Sequence, residues 1–202
     1  MGASFSRGEW RFEYRDQGVL RYRKIRRESD RQWRIEPKEQ RLQFWNLDAI
    51  RELQSRPPEA LVLTEGEFDA IAVAQACGGF TVSVPNGSAG KRSEGQVLVK
   101  EDSRFSYLWG ADQKLIPEIE QFDKIILATD NDEPGIILRD ELAIRIGEAR
   151  CWYVAYPADC KDANDVLLKH DEQALRKVIA DAKPMRPGYL VKPSEIPPRH
   201  ME

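Results

Sequence analysis

The stretch DKIILATDNDEPG, residues 123–135, is an apolar run that stops abruptly at two carboxylates one residue apart, Asp130 and Asp132. Glu133, Pro134 and Gly135 follow, and proline and glycine placed this way open a helix. A short run apolar throughout, KIILAT, reads as a strand covered on both faces, as in a parallel sheet. In such sheets ligands gather beyond the carboxyl ends of the strands. The two aspartates stand at such an end.

Working outward, the same grammar recurs on both sides. LVLT (61–64) is a short strand, EGEFDAIAVAQACGG a helix closed by Gly78 and Gly79, and FTVSVPNG a strand entering a turn. After KIILAT come a helix from Pro134 to Gly147 and a strand from Arg150 to Ala155. Strands alternating with helices predict an α/β domain with a parallel sheet of about four strands flanked by helices.

The N-terminal quarter differs. EWRFEYRDQGVLRYRKIRR alternates aromatic or aliphatic residues with charged ones around a turn-like Asp16-Gln17-Gly18, which predicts an antiparallel hairpin with one basic face. A short strand follows near Gln32 to Ile35. LDAIRELQSRPPEA carries helix spacing and then meets Pro57 and Pro58, which end it. The division expected is therefore a small basic α+β subdomain over 1–58, an α/β domain over 59–182, and a proline-rich linker or tail over 183–202. Region 88–110 reads as a mobile loop containing a hairpin, with no chemistry assigned to it.

Charge follows that division. Residues 1–51 hold thirteen Lys or Arg against eight Asp or Glu, and the remaining chain holds eighteen against twenty-six. A basic segment beside an acidic domain suits an arm for polyanions joined to a site that concentrates carboxylates. At 41% hydrophobic and 32% charged residues the composition is that of a globular protein, and no apolar run approaches the roughly 20 residues of a membrane helix. A cytoplasmic protein with no membrane partner is expected. Cys77, Cys151 and Cys160 lie far apart with no CxxC pair, so reduced thiols and no zinc in this chain are expected.

Three acidic groups each sit just beyond a predicted strand or at a helix start. Glu65 follows LVLT, and Asp69 lies four residues on, one helical turn up and on the same side. Asp130 and Asp132 share a face because residues two apart in extended chain do so. Asp162 and Asp165 of KDANDVL flank the last helix start. Singly, Asp69 and Asp165 suit a helix dipole and Asp132 a turn. Together, Glu65, Asp130, Asp132 and Asp162 would converge on one rim of a parallel sheet. Carboxylates so placed repel unless a cation bridges them, and such oxygen ligands suit Mg²⁺ or Mn²⁺, two of which serve phosphoryl transfer.

TEGEFDAIA, SVPNG, QFDKIILATDNDEPG and KDANDVL, in that order, resemble the Toprim domain. They are most similar to the primase portion of phage replicative primase-helicases and of Twinkle. The resemblance covers roughly residues 60–182. It implies that Glu65, Asp130 and Asp132 are catalytic and, with Asp69 and Asp162, bind metal. RDQGVLRYRKIRR followed by FWN is similar to the small N-terminal subdomain of these primases, which implies that Lys24, Arg26 and Arg34 hold nucleotide or DNA phosphates. The implied partners are a single-stranded DNA template, nucleoside triphosphates and a replicative helicase, on the same polypeptide or separate.

Departures from the pattern matter. Asn164 stands where bacterial-type primases carry a second aspartate, in agreement with the phage type. Within the sequence there is no Walker GxxxxGK[ST] loop and no cysteine-bearing zinc module, so the resemblance places unwinding and template selection elsewhere. A primase core making short RNA on single-stranded DNA is the leading expectation. A Toprim nuclease and a non-catalytic DNA-binding or assembly module stay open.

Overall fold

A computed structural model describes residues 1–51, 60–78, 80–87, 103–110 and 114–185. It begins with four strands, β1 (Ala3–Ser6), β2 (Glu9–Asp16), β3 (Val19–Arg27) and β4 (Trp33–Glu36), in one antiparallel sheet of that order. The turns are compact because Arg7-Gly8 and Gln17-Gly18 all take positive φ, between 51° and 73°. Two consecutive left-handed residues match the twist of a hairpin, which is why the pairs end in glycine. The predicted hairpin and its turn are present, and the strand near Gln32 is β4.

A one-turn helix, α1 (Asp48–Arg51), follows. The rest of the helix expected there, and the boundary near residue 58, lie outside the described residues. The second sheet is built from β5 (Ala60–Thr64), α2 (Glu67–Cys77) and β6 (Phe80–Ser83), then α3 (Leu115–Ile119), β7 (Lys124–Ala128) and α4 (Glu133–Ile146). It is completed by β8 (Cys151–Tyr153), α5 (Ala163–Lys169), α6 (Glu172–Ala180) and β9 (Lys183–Pro184). The strand order is β6-β5-β7-β8-β9, parallel except for β9.

The continuous apolar runs are explained by two cores, one on each face of this sheet. Leu61, Leu63, Ile125 and Leu127 pack on one side with Leu138 and Leu142 of α4 and Leu115 and Ile119 of α3. Their neighbours Val62, Ile126 and Ala128 pack on the other with Val73 of α2, Val166 of α5 and Leu175 of α6. Side chains alternate across a strand, so both parities must be apolar when both faces are covered.

Two expectations are corrected. The tail was expected to start at 183, yet Lys183–Pro184 is a fifth strand, held by Met185 N–H donating to Cys151 O at 2.8 Å. Proline is tolerated there because the strand is at the edge, where one side of its backbone needs no donor. The loop and hairpin expected over 88–110 are replaced over Ser103–Leu108 by a 3₁₀ turn whose Phe105, Tyr107 and Leu108 are buried. Tyr107 meets Phe44 edge-on, 5.1 Å between centroids, and Arg145 of α4 lies over the Phe105 ring. Residues 88–102 are outside the described set, as are 186–202 of the tail.

A third, aromatic core joins the two sheets: Phe12, Tyr14, Tyr22 and Trp45 pack on Ala70 of α2. Trp45 also bridges Ser83 at the end of β6, with backbone bonds of 2.9 and 3.2 Å. The basic sheet is thereby seated on the helix that carries Asp69. Among the described residues no helix is long and apolar enough to cross a membrane.

Candidate metal centre

The ends of β5 and β7 and the start of α5 meet at one rim. Ligand oxygens of Asp69, Asp130 and Asp162 all lie within 4.8 Å of one another. Glu65 joins them by accepting the Asp130 N–H at its Oε2, 3.3 Å. Close approach depends on glycine: a Cβ on Gly135 would stand 2.2 Å from the Asp130 carbonyl oxygen, and one on Gly87 of PNG 2.9 Å from Glu65 Oε1. Each is shorter than any contact a real side chain makes, so the motif glycines admit the carboxylates to the rim.

Helix starts fix the remaining acids. Asp132 caps α4, accepting the Gly135 N–H at 2.9 Å, and Asp162 caps α5, accepting the Asp165 N–H at 2.7 Å. Asp69 Oδ1 accepts the Asn164 N–H at 2.9 Å, which ties α2 to the KDAN loop. Asp165 points away from the cluster, onto Lys161 N–H and Lys169.

The electrostatics set the group apart. Burial, and then the Asp162 carboxylate, push the pKa of Asp69 well above the usual carboxylate range. Burial raises Asp130 as well, against an opposing hydrogen bond from Lys161. Asp132, capped by the Gly135 N–H, is held below its usual value. Carboxyls driven toward protonation by each other and by burial are those a divalent cation would relieve, and an all-oxygen donor set suits Mg²⁺ or Mn²⁺ rather than zinc. The residues present therefore fit such an ion.

Lys161 was missed by sequence reasoning, although KDAN contains it. Its Nζ donates to Asp130 Oδ2 at 2.7 Å and approaches Asp132 Oδ2 at 3.2 Å, and the Asp130 bond is the main reason its pKa is raised. A lysine inside an acidic loop was the signal available. A second grouping, Asp159, Cys160 and His170, also brings ligand atoms within 4.8 Å. It sits in a chain for which no zinc was expected, and the His170–Asp159 contact of 3.1 Å accounts for its geometry.

The three basic residues divide. Cross-strand partners share a face, so Lys24 and Arg26, opposite Phe12 and Trp10, point toward α2, while Arg34, opposite Ile25, points the other way. Lys24 forms an ion pair with Glu67 at 2.8 Å and donates to Pro85 O at 3.0 Å. Arg26 lies over the rings of Trp33 and Phe68, 5.6 and 5.4 Å from their centroids. Arg34 is bound to Glu9 and Glu36 at 2.7 and 2.9 Å. The face expected to be basic is neutralised, since Glu9 and Glu13 also pair with Arg11, Arg15 and Arg23.

Comparison with known proteins bears on the family and the fold. A family model described as Toprim-like matches residues 62–167, more than half of the 202-residue chain. Two Arabidopsis thaliana proteins are similar. One is the Twinkle homolog protein, chloroplastic/mitochondrial, 35% identical over 132 residues, which cover 61% of this chain and 18% of that protein. The other is a Primase homolog protein, 33% identical over 147 residues, 70% of this chain and 41% of that one. The matched segment thus spans less than half the length of either. The crystal structure of the primase fragment of the bacteriophage T7 primase-helicase protein aligns with a TM-score of 0.65 at 22% identity, over 88% of this chain and 65% of that one. That likeness concerns the fold: a mixed, mostly parallel five-stranded sheet between helices. On the strength of the matched segment and of the sheet that carries it, the chain belongs to the Toprim-like family.

Proposed function

We propose that this chain is the catalytic core of a DNA primase, which makes short RNA primers on single-stranded DNA by metal-dependent nucleotidyl transfer. The observation that carries this reading is the approach of Asp69, Asp130 and Asp162 within 4.8 Å, with Glu65 beside them, at the rim of the parallel sheet. These four and Asp132 would hold Mg²⁺ or Mn²⁺. When bound, such ions supply positive charge to the triphosphate and make an attacking oxygen more acidic. The reaction is displacement at the α-phosphorus by a primer 3′ oxygen, with pyrophosphate leaving.

The side chains of this chain do the positioning. Glu65 is held beside Asp130 by accepting the Asp130 backbone N–H. Asp132 and Asp162 are oriented by the helices they cap. Arg26, on the face toward α2, is the cation we assign to nucleotide or template phosphates, while Lys24 on the same face is engaged by Glu67 and seats the sheet on α2. Arg34 belongs to the opposite face and supports its sheet through Glu9. A replicative helicase is the partner that such an activity serves.

The test is to incubate the chain with labelled single strands, nucleoside triphosphates and Mg²⁺ or Mn²⁺. Polymer growth lost in Asp130→Ala and Glu65→Gln, both still folded, is expected. Strand cleavage without growth would replace the reading with a nuclease. Metal-independent, salt-sensitive DNA binding alone would replace it with a binding module.

A further inference from the structure

The face of the small sheet that looks toward α2 carries a row of side chains crossing all four strands. Phe5 of β1 stands opposite Trp10 of β2, Trp10 opposite Arg26 of β3, and Arg26 opposite Trp33 of β4. Cross-strand partners share a face, so three rings and one guanidinium form a single surface. Phe5 and Trp10 lie 5.0 Å apart between ring centroids, and Phe68 of α2 meets Trp10 edge-on at 5.2 Å. Both ends of the row are open: Phe5 is 50% and Trp33 42% exposed, and among the described residues these are the exposed aromatic side chains.

Charge singles out the same row. Glu9, Glu13 and Glu36 belong to the opposite face, where they pair with Arg11, Arg15, Arg23 and Arg34. No ion pair or hydrogen bond reaches the Arg26 side chain among the described residues: its guanidinium rests on the Trp33 and Phe68 rings, and its Nε is shielded from solvent without an acceptor. Lys24, 4.5 Å from the Trp33 centroid, steadies that ring but is itself neutralised by Glu67. An unpaired cation flanked by open rings is complementary to a polyanion whose every unit carries a phosphate and a flat aromatic base. Single strands are bound in this way, with bases stacked on aromatic side chains and arginine adding cation–π attraction. Phe68 and Asp69 are neighbours in the first turn of α2, which sets the row at the helix end that carries the carboxylate rim.

Resting on the reading of single-stranded DNA as the template of this chain, we propose that the row is a base-stacking platform: unpaired bases lie on Trp33 and Phe5, and Arg26 between them meets a phosphate.

The test measures binding of the full chain to a labelled oligothymidylate in EDTA, without nucleotides, over a range of salt. Trp33→Ala should raise the dissociation constant about tenfold, as expected for the loss of one base stack. The slope of affinity against salt should not change, because stacking releases no counterions. Trp33→Phe, which keeps a ring, should recover most of the loss. Arg26→Met should lower the slope by about 0.7, the share of one phosphate contact on a single strand. An abasic strand of equal length supplies the phosphates without the bases. The unaltered chain should bind it about tenfold more weakly, a comparison that needs no substitution and so stands even if Trp33→Ala disturbs folding. Equal affinity of the unaltered chain for the two strands overturns the proposal, as does a Trp33→Ala loss as large on the abasic strand as on the oligothymidylate. Self-association lost in Trp33→Ala with DNA affinity unchanged would make the row a contact between copies of the chain and overturn the platform. Primer synthesis by the same proteins separates the two readings. Growth by the unaltered chain, with DNA affinity untouched in Trp33→Ala, overturns the platform alone. Strand binding that Trp33→Ala weakens, without any primer growth, supports the platform and removes the primase reading.

Discussion

Replacing Glu67 with Leu should loosen the seat of the basic sheet, and its size can be worked from the structure. Glu67 is 2% and Lys24 14% exposed at their side chains, and they meet at 2.8 Å. The Tyr14 hydroxyl, also buried, donates to the same carboxylate. Leucine would leave an ammonium and a phenol without their shared acceptor. Breaking a buried pair from one side costs roughly 3–5 kcal/mol. Lys24 keeps its bond to Pro85 O at 3.0 Å and its place over Trp33, 4.5 Å from the ring centroid, which favours the lower end. The expectation is a loss of about 3 kcal/mol, or roughly 6–12 °C in thermal midpoint for a chain of this size. Urea denaturation followed by circular dichroism would measure it. The double variant Lys24→Met with Glu67→Leu should lose less than the two singles combined, because neither partner is then stranded. A Glu67→Leu protein within about 0.5 kcal/mol of the parent, or strictly additive singles, would refute the view that this pair fastens the two sheets.

Three further outcomes are expected. Asp69→Asn should raise the thermal midpoint in EDTA: folding raises the Asp69 pKa, so its ionised form is destabilising at neutral pH, a deficit that fades as pH falls through the raised value. The same variant should lose the stabilisation by Mg²⁺, which for the parent is about 2.7 kcal/mol at one hundred times the dissociation constant. Gly135→Ala should cost about 1–3 kcal/mol in urea and abolish the Mg²⁺-dependent shift, since its Cβ would push the Asp130 carbonyl from 2.2 Å. Cys151, 1% exposed and with a thiol pushed up to about 12 chiefly by burial, should react with a thiol reagent at pH 8 only as fast as the protein unfolds.

Much of the larger sheet was legible because its strands are buried on both faces, and a run such as KIILA admits few other readings. The Gln17-Gly18 turn was legible for a local reason, the left-handed backbone that glycine favours. β1 was not, since ASFS is short, polar and mostly exposed. Neither was β9, whose two residues carry no period and are defined by pairing with β8. Phe105 and Tyr107 looked like loop aromatics until tertiary packing placed them in the core beside Phe44.

The site divides along the same line. Glu65, Asp130 and Asp132 could be picked out because they follow strands and Asp162 because it opens a helix, while Asp69 entered the metal set only through the family resemblance. Which oxygens actually meet is a matter of helix caps and loop packing: Asp132 and Asp162 both cap helices, and it is Asp69, Asp130 and Asp162 whose oxygens form the compact set. Glu67 and Lys161 gain their meaning from residues distant in sequence, respectively Lys24 and Asp130. A two-residue alternation cannot reveal which face of a hairpin turns to a helix fifty residues on, and so Arg34 could not be separated from Lys24 and Arg26 in advance.

The most direct test of the account is a crystal of this chain soaked in Mn²⁺ and measured for anomalous scattering. The prediction is a peak bounded by Asp69, Asp130 and Asp162, with Lys161 displaced from Asp130. Occupied Mn²⁺ sites elsewhere, with Lys161 still bridging Asp130 and Asp132 and no peak at the three aspartates, would contradict it.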